Sequence, residues 1–304
     1  MSFSIRTWLA FSGLALLTAC QQTPKVSQTI QIDSLKAIAL GEMLFTDTRL
    51  SANNQIACAS CHQYNKAFTD GISLSSIGLS GKPLQRNAPT LWNIAFAQNG
   101  LFADGGAANL ESLVFLPLQH PDEMGQNLKI LPEKLRKIPR YKQKFREVFG
   151  QDTITNALIG RALAAYQRSL VGFDTDFDRF MDNQITFSTE QSEGWRVFQQ
   201  KCVACHVPPL FTNHRYHKSR LLTPQDQGRF RVTLDSADWG KIRTPTLRNI
   251  ALTAPYFSYG QASELKIALQ LHAKDLQTNL TTNEVAHLQT FLLTLTDRHF
   301  KGSK

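Results

Sequence analysis

Two short cysteine and histidine motifs are the residues of this sequence best suited to chemistry. The pattern C-x-x-C-H occurs twice, in the residues Cys58, Cys61 and His62 and in the residues Cys202, Cys205 and His206. Each thiol of such a motif can form a thioether with a haem vinyl group, and the adjacent histidine then ligates the iron. At this cysteine and histidine content, one chance copy has odds of about 0.002. We therefore expect two covalently bound haem c groups.

Competing uses of the four cysteines fit their spacing poorly. A four-cysteine zinc site usually separates its two pairs by about 15–20 residues, whereas Cys61 and Cys202 lie 141 positions apart. A thioredoxin-like redox pair follows a β-strand, and neither motif has a run of β-branched residues before it. Both alternatives are therefore much weaker than haem attachment.

Residues 1–20 are predicted to be an export signal with a lipobox rather than part of the fold. A basic start at Arg6 precedes an apolar stretch of about ten residues, roughly half the length of a membrane-spanning helix. The sequence Leu-Thr-Ala-Cys that ends at Cys20 resembles a bacterial lipobox, which predicts that Cys20 is lipidated. The alternative is an ordinary cleaved signal in which Cys20 has no special role. In both cases we expect an exported protein.

The length and composition predict two folded domains. The chain has 304 residues, of which 42% are hydrophobic and 19% are charged, as in ordinary globular proteins. The net charge of +9 falls to +8 without Arg6, and to about +4 with four ionised haem propionates. An exported protein without a basic aromatic stripe is not expected to bind nucleic acid. The remaining charge favours a mildly acidic electron-donor protein as a partner.

A repeated segment divides the chain into two halves. Six of nine residues are identical between 88–96 (APTLWNIAF) and 244–252 (TPTLRNIAL), and each copy follows a C-x-x-C-H motif. The predicted fold class is therefore all-α, with two cytochrome c-like haem domains related by internal duplication and joined by long connecting loops. A chance match between two loop segments is the alternative.

Helical periodicity supports this fold class. Apolar residues recur at helical spacing in four segments, and no two convincing strands are found. The segments run from an Asp33 cap to Phe45, from Asp152 to Leu170, from Thr189 to Lys201 and from Thr282 to Leu295. Loops over 68–86 and 208–241 are expected to form the walls of a haem crevice, and the linker between the halves is expected over 181–188.

The sixth ligand of each iron decides between an electron carrier and an enzyme, because only an open position can bind a substrate. The four methionines are Met1, Met43, Met124 and Met181, so none follows the second haem motif. The usual pairing of histidine with methionine is therefore not expected there. The remaining candidates are His214, His217, His272, His287 and His299, with Tyr256 and Tyr259 behind them.

Longer motifs make the sequence similar to the bacterial diheme cytochrome c peroxidase and MauG superfamily. The resemblance covers nearly all of the mature chain, and its motifs follow the family's order. They are LGEMLFTDTRLS, CASCHQYNKAFTDG, RNAPTLWNIAF, NLESLVFLPLQHPDEMG, AAYQRSLVGFDTDFDRF, CVACH and TPTLRNIALTAPY. The resemblance implies an N-terminal peroxidatic haem domain over 21–184 and a C-terminal electron-transfer haem domain over 185–304.

The resemblance also implies roles for individual residues. His62 becomes the proximal ligand of the reactive haem, and Glu123 of the family's E-M pair becomes the general acid and base for O–O cleavage. Without the family pattern, Glu123 is interpreted as a surface carboxylate. His272 falls where the sixth ligand of the second haem lies, a position commonly held by methionine in the peroxidases and by tyrosine in MauG-type enzymes.

A calcium ion between the halves is a further implication of the resemblance. The family's site corresponds to the side chain of Asn87 and the backbone oxygens of Thr253 and Pro255, and oxygen ligands suit this hard cation. Because these residues come from different halves, the ion would fix the geometry between the haems. The alternative is that Asn87 is simply a turn residue.

Three residues depart from the family pattern. Leu79 replaces the loop histidine that caps the resting reactive haem in many peroxidases, so that haem is expected to be five-coordinate, as in MauG-like enzymes. Ala103 replaces the tryptophan between the haems, which leaves Trp92 as a substitute route for electrons. Leu113 replaces a glutamine near Glu123, and the drier pocket is expected to raise the pKa of that carboxyl.

The function that the resemblance implies is that of a periplasmic, lipid-anchored cytochrome c peroxidase. It would reduce hydrogen peroxide to water with electrons from a small redox protein, such as a cytochrome c or a cupredoxin. One alternative is a MauG-like oxidase that acts on a protein or organic substrate, and the other is a diheme electron carrier without catalytic activity. The sequence carries no trace of the oligomeric state, so a homodimer stays open.

Overall fold

A computed structural model describes residues 34–72 and 78–300, so the predicted signal, Cys20 and the Asp33 cap lie outside the described residues. The α-helices are α1 Leu35–Phe45, α2 Cys58–Cys61, α3 Leu110–Leu113, α4 Phe115–Gln119, α5 Leu131–Arg136, α6 Pro139–Phe149, α7 Asn156–Ser169, α8 Asp176–Met181, α9 Thr189–Lys201, α10 Phe230–Thr233, α11 Leu265–Asp275 and α12 Thr282–Leu293. Short 3-10 helices lie at Thr48–Leu50, Tyr64–Lys66, Ile94–Phe96, Ser236–Asp238, Ile250–Leu252 and Arg298–Phe300. Helix is thus the dominant structure in the described ranges.

The four predicted helices form, and side-chain caps set where they begin. The capping box of Ser188 and Gln191 starts α9, whose bounds match the prediction. The hydroxyl of Ser34 accepts a hydrogen bond from the Ala37 amide at the start of α1, which ends at Phe45 as predicted. Thr155 caps α7, which therefore begins later than the predicted start at Asp152. Helix α12 ends two residues before the predicted Leu295.

Two close helix pairs form the centre of the fold, one in each half. Helix α1 packs against α7, and α9 packs against α12. Each pair depends on a glycine, because a Cβ at Gly41 would lie 2.0 Å from the carbonyl oxygen of Ala162 and a Cβ at Gly194 would lie 2.1 Å from that of His287. Only glycine allows the two backbones of each pair to approach this closely.

The buried apolar residues form two clusters. The larger cluster extends from Leu40 to Leu170 along the chain and surrounds the α1–α7 pair. The smaller cluster surrounds the α9–α12 pair and begins with Phe177 of α8. Phe300, near the end of the chain, returns to the first cluster. The side chains around residue 300 therefore tie the C-terminal segment to the N-terminal half.

A short β-ribbon corrects the prediction that the chain has no strands. Strand β1 (Tyr216–Lys218) pairs antiparallel with β2 (Lys241–Arg243), in a register that places Tyr216 opposite Arg243. Each strand has only three residues, too few for an alternating pattern to emerge from the sequence. The predicted loop over 208–241 thus contains β1 and α10 as well as irregular structure.

The described residues also bear on membrane insertion. Within 34–72 and 78–300, none of the helices is both long enough and apolar enough to cross a bilayer.

Candidate functional site

The first haem motif is held by a short helix and two backbone carbonyls. Helix α2 carries Cys58 and Cys61, and the ring of His62 follows with its Nδ1 donating a 2.9 Å hydrogen bond to the carbonyl of Phe68. Burial lowers the pKa of His62, and hydrogen bonding to the carbonyls of Phe68 and Pro89 partly offsets this. The imidazole is therefore neutral at pH 7 and its Nε2 lone pair is available to a metal.

The second motif repeats this arrangement. The Nδ1 of His206 donates a 3.0 Å hydrogen bond to the carbonyl of Phe211. Burial lowers the pKa of His206 to about 4, so this imidazole is also neutral. The carbonyl of Leu210, just before Phe211, accepts a 2.6 Å bond from the hydroxyl of Thr246. In the first half, Thr90 donates the equivalent 2.6 Å bond to Ala67.

His272 is the candidate sixth ligand that the structure brings to the second motif. It lies on α11, and its ring centroid is 6.2 Å from that of His206, with an angle of 70° between the ring planes. Two imidazoles that bind one metal from opposite sides, with metal–nitrogen bonds of about 2.0 Å, have centroids about 6 Å apart. Burial lowers the pKa of His272. The pair therefore has the separation that a single iron between the rings requires.

The other candidate ligands make different contacts. The Nε2 of His217 is 3.4 Å from the side chain of Asn213, and the hydroxyl of Tyr259 bonds the carboxylate of Asp226. His299 stacks on Trp92 in the N-terminal half. His214 is half-buried, His287 lies on α12, and Tyr256 donates to the carbonyl of Ile250.

The four cysteines of the motifs are not paired in disulfides in the part of the chain that the structure describes. Over residues 34–72 and 78–300, no group of three or more histidine, cysteine, aspartate or glutamate side chains is arranged to hold a metal ion. The structure therefore does not bring the four cysteines together at one point in these ranges.

Glu123 is tied to the segment that leads into the first motif. The amide of Ala52 donates a 2.9 Å hydrogen bond to the carbonyl of Met124, the residue after Glu123. The Glu123 side chain is 35% exposed, and its Oε1 lies 4.0 Å from Nδ1 of His120. Burial raises the pKa of Glu123, while the nearby His120 lowers it. The direction of this shift is the one expected from the sequence, and the contribution of Leu113 to it stays a prediction.

Leu79 lies directly against the Glu123 segment. Its amide donates a 2.8 Å hydrogen bond to the carbonyl of Glu123. The adjacent Gly78 is required by this contact, because a Cβ there would lie 1.8 Å from the carbonyl oxygen of Asp122. The backbone at the family's capping position is thus joined to the backbone of the candidate acid and base, a contact that the sequence did not reveal.

Asn87 and Pro255 meet between the two halves. The amide Nδ2 of Asn87 donates hydrogen bonds of 3.1 and 3.2 Å to the carbonyls of Pro255 and Phe257. Its Oδ1 is buried and has no hydrogen-bond partner among the described residues. An amide turned by 180° would place this oxygen beside both carbonyls, which is the donor set of a calcium ion. Thr253 bonds only Ile250 among its described hydrogen bonds, so its contribution is not seen.

Ala103 and Trp92 lie in different surroundings. The carbonyl of Ala103 accepts a 2.7 Å bond from the amide of Arg243, in the contact between the halves. The next residue, Asp104, is fully buried and paired with Arg86 and Arg231. Trp92 instead stacks between Phe68 and His299. Sequence reasoning missed the ion pairs around Asp104, one of which joins residues 127 positions apart.

Comparison with known proteins places this geometry in a family. The model of the di-haem cytochrome c peroxidase family matches residues 35–186. The chain is 31% identical to the cytochrome c551 peroxidase of Nitrosomonas europaea, over 97% of this chain and 90% of that protein. It is 32% identical to the methylamine utilization protein MauG of Methylorubrum extorquens, over 78% of this chain and 68% of that protein.

A solved structure agrees with the sequence relatives. A MauG-like protein associated with microbial copper homeostasis superposes with a TM-score of 0.83 at 27% identity, covering 93% of this chain and 97% of that one. The paired C-x-x-C-H motifs, the matched surroundings of His62 and His206, and these similarities agree with one another. The chain belongs to the di-haem cytochrome c peroxidase family of oxidoreductases.

Proposed function

We propose that the protein reduces hydrogen peroxide to water at the first motif, with electrons supplied by a small redox protein. One observation carries this proposal, namely that the two motif histidines face different partners. His206 faces the second imidazole of His272 at 6.2 Å, whereas the ring contact of His62 in the described part of the chain is with Phe45, at 6.4 Å. A haem held by His62 would then keep a position for a small oxidant, whereas His272 would fill that position at a haem held by His206.

The residues at each motif would hold the haems as follows. Thioethers to Cys58 and Cys61 fix one haem over His62, while Cys202, Cys205, His206 and His272 hold the other. When bound, the first haem supplies the redox chemistry of O–O cleavage. The hydrogen bonds from Nδ1 of His62 and His206 to the Phe68 and Phe211 carbonyls orient each ring and keep Nε2 toward the metal.

Glu123 moves the proton in this proposal. Its carboxylate takes a proton from one oxygen of hydrogen peroxide and returns it to the other oxygen, so that the leaving group departs as water. Two electrons and two further protons complete the reduction to a second water. Burial raises the pKa of Glu123 above its ordinary value, which makes the carboxylate a stronger base and increases the fraction of the carboxyl that holds a proton to donate.

The two halves are proposed to be duplicated haem domains, 21–184 and 185–304. Matched local geometry supports this: Asn93 and Asn249 share φ values of 62° and 61° at equivalent places of the repeated segment, and each half pairs two helices over a glycine. Helix α8 precedes the proposed boundary but packs in the second core through Phe177. One calcium ion held by Asn87, Pro255 and Thr253 would join the domains.

The proposed location is the periplasm, with Cys20 as a lipid anchor to the membrane. The export signal predicted over residues 1–20 supports this location. A mildly acidic electron donor suits the net positive charge.

A MauG-like oxidation of a protein or organic substrate is the second candidate function. The contact of Leu79 with Glu123 favours it, because an aliphatic side chain cannot ligate iron where the family's peroxidases place a histidine. The replacement of the inter-haem tryptophan by Ala103 leaves this candidate open.

The test uses the diheme holoprotein. We expect its ferric EPR spectrum to contain one high-spin haem, and its absorption spectrum to change on addition of one equivalent of hydrogen peroxide. Catalytic oxidation of reduced cytochrome c should then follow, and Glu123→Gln should lose it while Glu147→Gln, at an exposed glutamate bonded to Lys144, should keep it. If the protein showed neither a high-spin signal nor a response to peroxide, the proposal would fail and the protein would be a diheme electron carrier. Turnover of an organic substrate without cytochrome c oxidation would favour the second candidate.

A further inference from the structure

Trp92 lies in an aromatic stack that runs from the first motif to the protein surface. Its indole stacks on Phe68 with centroids 6.2 Å apart and an interplanar angle of 11°, and on His299 at 5.0 Å and 29°. Phe68 is the residue whose carbonyl accepts the hydrogen bond from His62. The stack therefore begins at the backbone that orients the proximal histidine of the reactive haem.

The outer end of the stack is exposed and polar. The hydroxyl of Tyr64 lies 3.0 Å from Nε2 of His299, and the Tyr64 ring is 45% exposed. Trp92 beneath them is only 5% exposed. Tyr64 shares its 3-10 helix with Lys66, which adds a positive charge at this surface. A partner bound here would reach the indole through a single layer of side chains.

Over the described residues of the second half, a different side chain occupies the place of Trp92, although Asn93 and Asn249, the next residues of the two segments, share nearly the same φ. The residue that corresponds to Trp92 in the repeated segment is Arg248. Arg248 forms two hydrogen bonds to Asp178, of 2.9 and 2.6 Å, and a third to the carbonyl of Pro209. A guanidinium cannot be oxidised by one electron under conditions in which an indole can. An oxidisable side chain thus occupies this position only in the half that carries the proposed reactive haem.

We propose that Tyr64, His299 and Trp92 form an electron relay through which a reductant at the surface supplies the reactive haem directly. The inference rests on the proposed peroxidatic function, and it offers a route that does not need a tryptophan at Ala103. The partner that fits this surface is a small electron-donor protein with acidic residues around its redox centre, because Lys66 lies beside Tyr64.

Each relay step balances in electrons and protons. Hydrogen peroxide is the oxidant and takes two electrons at the haem site. Trp92 gives up one electron and keeps its indole proton, because its buried Nε1 has no partner among the described residues to accept it. Tyr64 then gives one electron to Trp92 and its phenolic proton to Nε2 of His299. One electron from the donor protein and the proton from His299 restore Tyr64, and the cycle repeats for the second electron.

The decisive experiment detects oxidised side chains rather than turnover. The diheme holoprotein receives one equivalent of hydrogen peroxide without any electron donor, is frozen rapidly and is examined by EPR. We expect an organic radical with a tyrosyl line shape in the wild type. Tyr64→Phe, which removes one hydroxyl and keeps the ring contacts, should abolish the tyrosyl signal and leave a signal of tryptophan character. Trp92→Phe removes the indole, so it should reduce the tyrosyl signal several-fold and leave no signal from a tryptophan at this position.

Two control variants distinguish the loss of an oxidisable side chain from a disturbance of packing. Phe300→Leu disturbs the same cluster without removing an oxidisable group, and Tyr216→Phe removes a hydroxyl that bonds the carbonyl of Asn99. Both should keep the wild-type radical. Peptide mass spectrometry after repeated peroxide addition should find oxidation at Tyr64 and Trp92 in the wild type.

The outcomes that would overturn the proposal are distinct from one another. If the radical signal were unchanged in both Tyr64→Phe and Trp92→Phe, the relay would be refuted and the peroxidatic function would stand. The same conclusion would follow if Phe300→Leu lost as much of the radical signal as these two variants. Absence of any absorption change with peroxide in the wild type would overturn the proposed function, and the relay with it.

Discussion

The backbone amide of Leu79 donates a 2.8 Å hydrogen bond to the carbonyl of Glu123. The loop that carries the family's capping position is therefore fastened to the segment of the candidate acid and base. An ideal Cβ at Gly125 would lie 2.6 Å from Cδ2 of Leu79, so the Leu79 side chain also covers this segment. The chemistry of residue 79 should accordingly decide what approaches the open side of the first haem.

Leu79→His tests that consequence. An imidazole at this position can ligate the iron, so we expect the high-spin ferric signal to be replaced by a low-spin one and the reaction with peroxide to require prior reduction. EPR of the ferric protein and stopped-flow absorption with peroxide measure the two effects. Leu79→Gln is the control, since it introduces polarity of similar size without a good iron ligand. A high-spin signal that survives in Leu79→His would contradict the placement of residue 79 at the open side.

Gly78→Ala should damage the same contact by steric overlap. The added Cβ would lie 1.8 Å from the carbonyl oxygen of Asp122 and 2.9 Å from Cα of Glu123, both of which are backbone atoms. We expect a loss of about 1–3 kcal/mol in the free energy of unfolding, together with reduced peroxide reactivity. Denaturant unfolding and the peroxide reaction measure these changes. Gly81→Ala is the control, because nothing lies within 4 Å of its added Cβ and only its positive φ of 72° is unfavourable.

The acid limb of the pH–rate profile should report Glu123. Burial raises its pKa above the ordinary value of 4.5, so the carboxylate that accepts the proton is lost at a higher pH than for an exposed glutamate. Activity should therefore rise with pH through an apparent pKa above 4.5. Glu123→Gln should lower the rate of peroxide reduction by about 10²–10⁴ and remove this limb. If the acid limb were unchanged in Glu123→Gln, it would report the ionisation of another group.

Stability gives an independent check on the same carboxyl. A raised pKa means that ionised Glu123 is disfavoured in the folded protein, so Glu123→Gln should unfold at the same or a higher temperature at pH 7. The difference should vanish below the ordinary glutamate pKa. His120→Asn should move the acid limb to higher pH, because protonated His120 lowers the pKa of Glu123.

Local signals in the sequence were sufficient for part of this structure. The Ser188 capping box fixes the start of α9 without tertiary contacts, and adjacency in the chain links His62 and His206 to their cysteines. In contrast, the contact between Tyr64 and His299 joins residues 235 positions apart, and no periodicity reports it. The three-residue strands of the β-ribbon form because Tyr216 meets Arg243 in the folded chain. The sequence shows that Trp92 is replaced by Arg248 in the second copy of the repeated segment. Only the side chains that surround each residue in the structure show what this difference does.

His272 should control the potential of the second haem. Two nitrogen ligands favour ferric iron relative to a nitrogen and a thioether, so His272→Met should raise that potential and leave the first haem unchanged. Spectroelectrochemical titration measures both centres. His287→Ala, on the neighbouring helix α12, is the control. A potential that is insensitive to both variants would place the sixth ligand elsewhere.

Calcium should stabilise the contact between the halves through Asn87. Its orphaned Oδ1 and the carbonyl of Pro255 are oxygen donors from opposite halves, so binding there favours the folded protein. At 100 times the dissociation constant, bound calcium would add about 2.7 kcal/mol to the free energy of unfolding. Thermal unfolding with calcium and with a chelator measures this increment, which Asn87→Ala should abolish. Asn156→Ala is the matched control, because its Oδ1 is also buried without a hydrogen-bond partner in the described ranges but its Nδ2 donates to a carbonyl within the N-terminal half. If calcium stabilised Asn87→Ala as much as the wild type, the cation would bind elsewhere. If it stabilised neither protein, no calcium would bind at this contact.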